Sequence, residues 1–168
     1  MQRLWAPWRK AYIRPKSKTR KKACLFCGLR LSKNDASNYV LKRSRHNYAV
    51  LNLYPYNNGH VLIVPNRHLA RVDQMTAAEK LDWLGLYEEV QAALESFVSP
   101  DGFNVGLNLG RGAGAGIPGH LHLHIVPRWS GDSNFMPVVA GTKVISESLD
   151  SMYGLLKKRL KKRSREPK

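Results

Sequence analysis

Apolar and polar positions alternate along the chain with two different periods. Residues 47–54 (NYAVLNLY) and 60–65 (HVLIVP) are rich in β-formers, and the turn residues PYNNG lie between them, which predicts a hairpin. NRHLARVDQM, residues 66–75, predicts a loop. Thr76 and Glu79 then form a T-x-x-E capping box. It opens a helix in which Leu81, Leu84, Val90, Leu94 and Phe97 recur at roughly helical spacing, and Pro100-Asp101-Gly102 ends it. Residues 103–109 (FNVGLNL) predict a third strand, followed by the glycine-rich loop RGAGAGIPG. A further strand runs to Pro127, and a last helix is expected over about 146–160, with Leu149, Met152, Leu156 and Leu160 on one face. An antiparallel meander with helices packed against it is an α+β arrangement.

The strand before Pro127 carries the most unusual pattern. In GHLHLHIVPRW, residues 119–129, alternation sends His120, His122 and His124 to one face and Leu121, Leu123 and Ile125 to the other. The imidazoles then stand about 6.6 Å apart, from a rise of about 3.3 Å per residue. A solvated face would ordinarily carry Lys, Thr, Glu or Ser. Three histidines in register point instead to a metal site or to a nucleophile with its base, because neutral imidazole is both a ligand and a nucleophile near pH 7. The preceding loop has Gly110, Gly112, Gly114, Gly116 and Gly119, whose backbone can approach an anion closely and cradle phosphate oxygens. It precedes a strand rather than a helix, so it is neither a P-loop nor a dinucleotide fingerprint. Joined to the histidines, it suggests a nucleophile beside a bound phosphate, displacing a leaving group at phosphorus to form a phosphoramidate.

Composition sets the frame. With 168 residues and 43% hydrophobic content, the chain can bury one sizeable core. No apolar run approaches a membrane span and the first residues lack a signal-peptide core, so a soluble, cytoplasmic protein with no membrane partner is expected. The net charge of +16 sits at the ends. Residues 9–22 carry eight Lys/Arg and no acid, residues 151–168 carry eight and one acid, and residues 23–150 hold eleven of each sign. The expected organisation is a basic segment over 1–22, the domain over 23–150, and a C-terminal helix with basic tail over 151–168. The ends are either solvated tails or a contact for nucleic acid.

H-x-H-x-H followed by two apolar residues, here His120-Leu-His122-Leu-His124-Ile-Val, resembles the signature of the histidine triad superfamily of nucleotidyl hydrolases and transferases. The resemblance covers most of residues 24–140, including VLNLYPYNNGHVLIVP, NLGRGAGAGIPG and PRWSGDSNFMPV. GDSNFMPV is similar to the branch that holds diadenosine tetraphosphate phosphorylases and fragile-histidine-triad-like proteins. The resemblance implies the triad fold, usually a homodimer, and a nucleotide substrate. It implies His122 as the nucleophile, His124 as the third histidine supporting the site through hydrogen bonds, and His60 as the partner of that histidine. It implies Asn52 at the ribose and Asn108 on the phosphate side, the alternative for both being strand-end and turn residues. Trp129 can stack on a base or fill a core or dimer interface. Many triad hydrolases carry a Gln, or Ser/Thr-bearing sequence, four residues before the first histidine. Here that position is Gly116 and the loop is one residue longer, which favours inorganic phosphate over water as second acceptor, with Gly114 and Gly116 lining its site.

Cys24 and Cys27 form C-L-F-C. Alone this is a redox pair, half of a zinc site, or two small buried residues. A redox pair normally opens a helix that follows a strand, and no strand pattern precedes this one. Zinc needs two more ligands, for which His68 and His120 are candidates. Triad proteins of similar layout, and the related galactose-phosphate uridylyltransferases, join a C-x-x-C to a His at each of these positions, which implies Cys24, Cys27, His68 and His120 as a structural zinc site. His46 has no evident partner and is expected at the surface.

Overall fold

The computed structural model describes residues 24–133, 139 and 144–163. The basic segment 1–22, the end of GDSNFMPV and the last five residues lie outside them. Five antiparallel strands form one sheet in the order β1-β2-β3-β5-β4: β1 Val40–Arg43, β2 Asn47–Leu51, β3 Val61–Pro65, β4 Gly102–Leu107 and β5 Leu123–Arg128. Three α-helices accompany them among the described residues: α1 Leu25–Leu31, α2 Ala77–Val98 and α3 Leu149–Arg163. The α+β expectation holds.

Register decides which side chains meet which layer. Ala49 pairs with Ile63, Leu51 with Val61, and Val61 with Ile125. All five join Leu86, Val90, Ala93 and Leu94 of α2 and Met152, Leu156 and Leu160 of α3 in the main core. The intervening residues Tyr48, Val50, Leu62 and Val64 face the other way and pack with Phe26 of α1. Cover on both faces is why every residue of β2 and β3 is buried. His124 pairs with Leu62 across β3–β5, so it shares the α1 side of the sheet.

The Thr76–Glu79 capping box forms, with each residue bonding the other's backbone N–H. Arg67 donates to both Glu79 carboxylate oxygens at 2.6 and 2.8 Å. That guanidinium is the largest influence holding the buried Glu79 carboxyl down at about 2. The expected apolar stripe on α2 is half right. Val90 and Leu94 are buried, but Leu81 is 71% exposed, and Leu84 and Phe97 are exposed as well. At about 100° per residue, Leu84 lies some 200° from Leu86, and the sheet takes the face carrying Trp83, Leu86, Val90 and Leu94. The helix ends at Ser99, in the left-handed conformation, just before the expected Pro-Asp-Gly stop. The last helix runs Leu149–Arg163, with Met152, Leu156 and Leu160 at 2% exposure or less.

The hairpin connection spans residues 52–60 and is closed by Gly59 at φ +70°. A Cβ there would lie 3.0 Å from Leu94 Cδ2 and 3.4 Å from Pro127 Cγ, so both backbone and packing require glycine. The next residue is His60.

Candidate functional site

The histidine run enters the sheet late. Strand β5 begins at Leu123, so His120 and His122 stand on the approach to it and His124 within it. All three are nonetheless buried, at 1, 7 and 8% exposure. The rings of His122 and His124 are 5.0 Å apart, closer than the strand rise alone suggests.

Hydrogen-bond partners fix the tautomer of each ring, because some of those partners have only one possible role. The backbone N–H of Tyr56 donates to Nδ1 of His60 at 3.0 Å, so that nitrogen is bare and Nε2 carries the proton. Nε2 lies 2.9 Å from His124 Nδ1 and therefore donates to it. His124 must then carry its own proton on Nε2, which requires the Asn108 amide, whose Nδ2 lies 3.4 Å away, to turn its oxygen to that proton. The His120 carbonyl can only accept. It lies 2.8 Å from His122 Nδ1, which therefore holds the proton and leaves Nε2 with a free lone pair. The Pro65 carbonyl, 2.9 Å from His120 Nε2, does the reverse and frees His120 Nδ1. Along the chain the proton sits on Nε2, Nδ1 and Nε2 in turn.

Burial keeps these rings neutral. It is the largest cause holding His60 down to about 3 and His124 down to about 4, and neighbouring triad histidines add to it. His120 and His122 are also lowered, again chiefly by burial. At neutral pH the site therefore presents an uncharged nucleophilic nitrogen at His122 and an N–H donor at His124.

Asn52 stands beside His60. Its oxygen accepts from the Tyr54 N–H at 3.0 Å, which turns its Nδ2 toward His60 Nδ1 at 3.3 Å. Gly110 and Gly114 adopt positive φ, as a tight glycine loop requires. The N–H of Gly114 is donated to the Arg111 carbonyl and that of Ala115 to the Gly110 carbonyl. The Gly114 N–H is thus engaged within the loop itself. Gly116 is exposed. Trp129 follows the far end of β5, and its indole N–H donates to the carbonyls of Val98 and Ser99 at the end of α2. Its contacts thus join it to α2, not to the triad.

The four expected metal ligands meet. The ligand atoms of Cys24, Cys27, His68 and His120 all lie within 4.8 Å of one another. His120 Nδ1 is 3.3 Å from Cys24 Sγ and 3.6 Å from Cys27 Sγ, and His68 Nδ1 is 3.4 Å from Cys27 Sγ. This set could hold a metal ion. C-x-x-C does open a helix, with Cys24 as N-cap of α1; the residues before it, where a redox pair would have its strand, lie outside the described residues. The two histidines beside the thiols favour coordination.

Two further residues join the site without having been expected there. The Tyr56 ring stacks on His124, with centroids 5.6 Å apart and planes within 8°. Phe26 lies 5.5 Å from the His120 ring and 5.0 Å from the His122 ring. Phe26 sits between the two cysteines in sequence, and that position was the available signal. His46 is half-buried; its backbone N–H donates to Asp82.

Comparison with known proteins places this geometry. Residues 33–131 match the HIT domain family. The chain is 39% identical to an AP-4-A phosphorylase of Mycobacterium tuberculosis over 163 residues, 93% of this chain and 83% of that protein. It is 35% identical to the asymmetrical bis(5'-nucleosyl)-tetraphosphatase of Schizosaccharomyces pombe over 104 residues, 62% of this chain and 57% of that one. A Zn-bound histidine triad family protein from Mycobacterium smegmatis shares the fold, with TM-score 0.67 and 22% identity, covering 84% of this chain and 96% of that one.

Proposed function

The chain belongs to the histidine triad (HIT) family, and from that premise we propose that it cleaves dinucleoside polyphosphates by nucleotidyl transfer through His122, with inorganic phosphate as the second acceptor. The observation that carries the chemistry is the His122 Nδ1–H held by the His120 carbonyl at 2.8 Å, which leaves Nε2 as a neutral nucleophile. Nε2 attacks the α-phosphorus of the transferred nucleotidyl group. A P–N bond forms and the P–O bond to the departing nucleotide breaks. His124, fed by His60 through their 2.9 Å bond, offers its Nε2–H to the oxygens that gather charge. Asn52 serves the ribose and Asn108 the phosphates. A phosphate oxygen then attacks the phosphoramidate, the P–N bond breaks, and His122 is regenerated.

Phosphate rather than water is favoured by the 39% identity to a phosphorylase along nearly the whole chain, against a shorter match to the hydrolase. The glycine at 116 adds to this, since no side chain there is available to orient a water. Diadenosine tetraphosphate should therefore yield ADP and ATP at a rate that rises and saturates with added phosphate. Rapid release of AMP that ignores phosphate would replace phosphate with water as acceptor.

Cys24, Cys27, His68 and His120 would hold a zinc ion. The fit rests on two thiols plus two imidazoles, with His120 Nε2–H anchored on the Pro65 carbonyl so that Nδ1 is free to ligate. Burial, then Cys24 beside it, push the Cys27 thiol up, and a cation would reverse this. When bound, the ion cross-links α1 to the sheet. A homodimer belongs to the same reading: β4 is an edge strand with Val105 43% exposed, open to a second copy.

A further inference from the structure

We propose that Phe26 is a positioning residue that holds the His122 imidazole in its attacking orientation, and that the cysteine–histidine cluster keeps Phe26 in place. This rests on His122 being the nucleophile.

The orientation of an imidazole about its last side-chain torsion is intrinsically broad. At His122 it is restrained by one hydrogen bond, to the His120 carbonyl, and by two neighbouring rings, His124 and Phe26, each 5.0 Å away. His124 belongs to the same short stretch of chain, two residues on. Phe26 comes from a different element, so its placement needs a separate support.

That element is fragile by itself. Helix α1 has seven residues with a glycine inside, well short of the roughly 12–15 an isolated helix needs to be even marginal. Three of its tertiary attachments lie along its length. At its C-terminal end Arg43 donates to the carbonyls of Leu29, Arg30 and Ser32, at 2.9, 3.1 and 3.1 Å. In the middle the buried Tyr48 hydroxyl donates to the Phe26 carbonyl at 2.8 Å. At the N-terminal end the attachment is the cluster, through Cys24 and Cys27, which flank Phe26 on the same turn. His120 serves both sides of this joint. Its ring belongs to the cluster, its carbonyl fixes the His122 tautomer, and the Phe26 ring lies against both imidazoles. Loosening the cluster frees the turn that carries Phe26, while Arg43 still holds the other end.

The test compares Phe26→Ala, Phe26→Leu and Cys27→Ser, with Leu156→Ala as the control that loosens the core on the opposite face of the sheet. Each is assayed with diadenosine tetraphosphate and phosphate. The histidine ring nitrogens are followed by NMR in the same full-length proteins without substrate. Phe26→Ala should lower kcat by about 10- to 100-fold, the scale of a misplaced reacting group, with KM changed less than about two-fold. The His122 ring, with one protonated and one bare nitrogen in the parent, should show averaged tautomers. Phe26→Leu keeps apolar volume, and hence the fold, and should still lose kcat to a smaller extent. Cys27→Ser should reproduce the effect and add little when combined with Phe26→Ala. Leu156→Ala should lower stability and leave kcat within about two-fold. A raised KM at unchanged kcat would mean that Phe26 touches substrate instead. A single His122 tautomer and unchanged kcat in Phe26→Ala would also overturn the proposal. The NMR signature needs no turnover, so it separates this failure from failure of the nucleophile reading, which full activity of His122→Ala would reveal.

Discussion

Acid should destabilise this protein well before its carboxylates titrate, and His60 makes the effect separable. The ring is 1% exposed and is held neutral down to about 3, and its partner His124 down to about 4. Both folded values lie below the ordinary imidazole value of about 6.5, so below that pH the unfolded chain takes up protons that the folded chain refuses. The stability they contribute is complete above about 6.5 and is lost as pH falls toward the folded values. Each costs about 1.4 kcal/mol per pH unit in that interval, so at pH 5.5 the pair withdraws about 3 kcal/mol, a large share of a typical 5–15 kcal/mol. Glu79 is silent here, because its contribution is lost only as pH falls from the usual carboxylate range through about 2. Urea unfolding at pH 7.5 and 5.5 measures the loss. In His60→Gln the amide can still accept from Tyr56 and donate to His124, but it does not titrate. Its loss between the two pH values should be smaller than the parent's by about 1.4 kcal/mol. The cluster is common to both proteins, so acid release of metal cancels in the comparison. Equal losses in the two would refute a buried, neutral His60.

His122→Ala should cost several orders of magnitude in turnover, whereas His46→Ala, remote from the triad in its contacts, should leave it nearly intact; steady-state rates decide. Protein purified without chelator should carry about one zinc per chain by elemental analysis, and Cys24→Ser or His68→Ala should release it and lower the melting temperature. Gly59→Ala should destabilise by about 1–3 kcal/mol in urea unfolding, because φ is +70° and the added Cβ meets Leu94 at 3.0 Å. An unchanged midpoint would mean that the 52–60 connection yields freely.

The residues of this site were legible where chemistry is written in side-chain type. Three alternating histidines, an upstream histidine in a β-run and a C-x-x-C pair are rare enough to be noticed, and the structure brings them together. What escaped lies in the backbone and in packing. The carbonyls of His120 and Pro65 and the N–H of Tyr56 decide every tautomer in the triad, and no sequence pattern marks a carbonyl as a partner. Helix α1 escaped because seven residues without a side-chain cap give too little periodicity. The rotation of α2 was misjudged because its sequence carries two apolar stripes, and only the sheet chooses between them. The glycine loop was read as a row of free donors, yet folding spends two of its N–H groups on its own carbonyls.

The central claim is nucleotidyl transfer through His122 to phosphate, and trapping the intermediate tests it most directly. Enzyme mixed with diadenosine tetraphosphate in phosphate-free buffer should release ATP and carry one adenylyl group, located on His122 by peptide mass spectrometry. Adding isotopically labelled phosphate should discharge it as ADP with the label in the β position. An adduct on another residue, or its discharge as AMP whatever the phosphate concentration, would contradict the account.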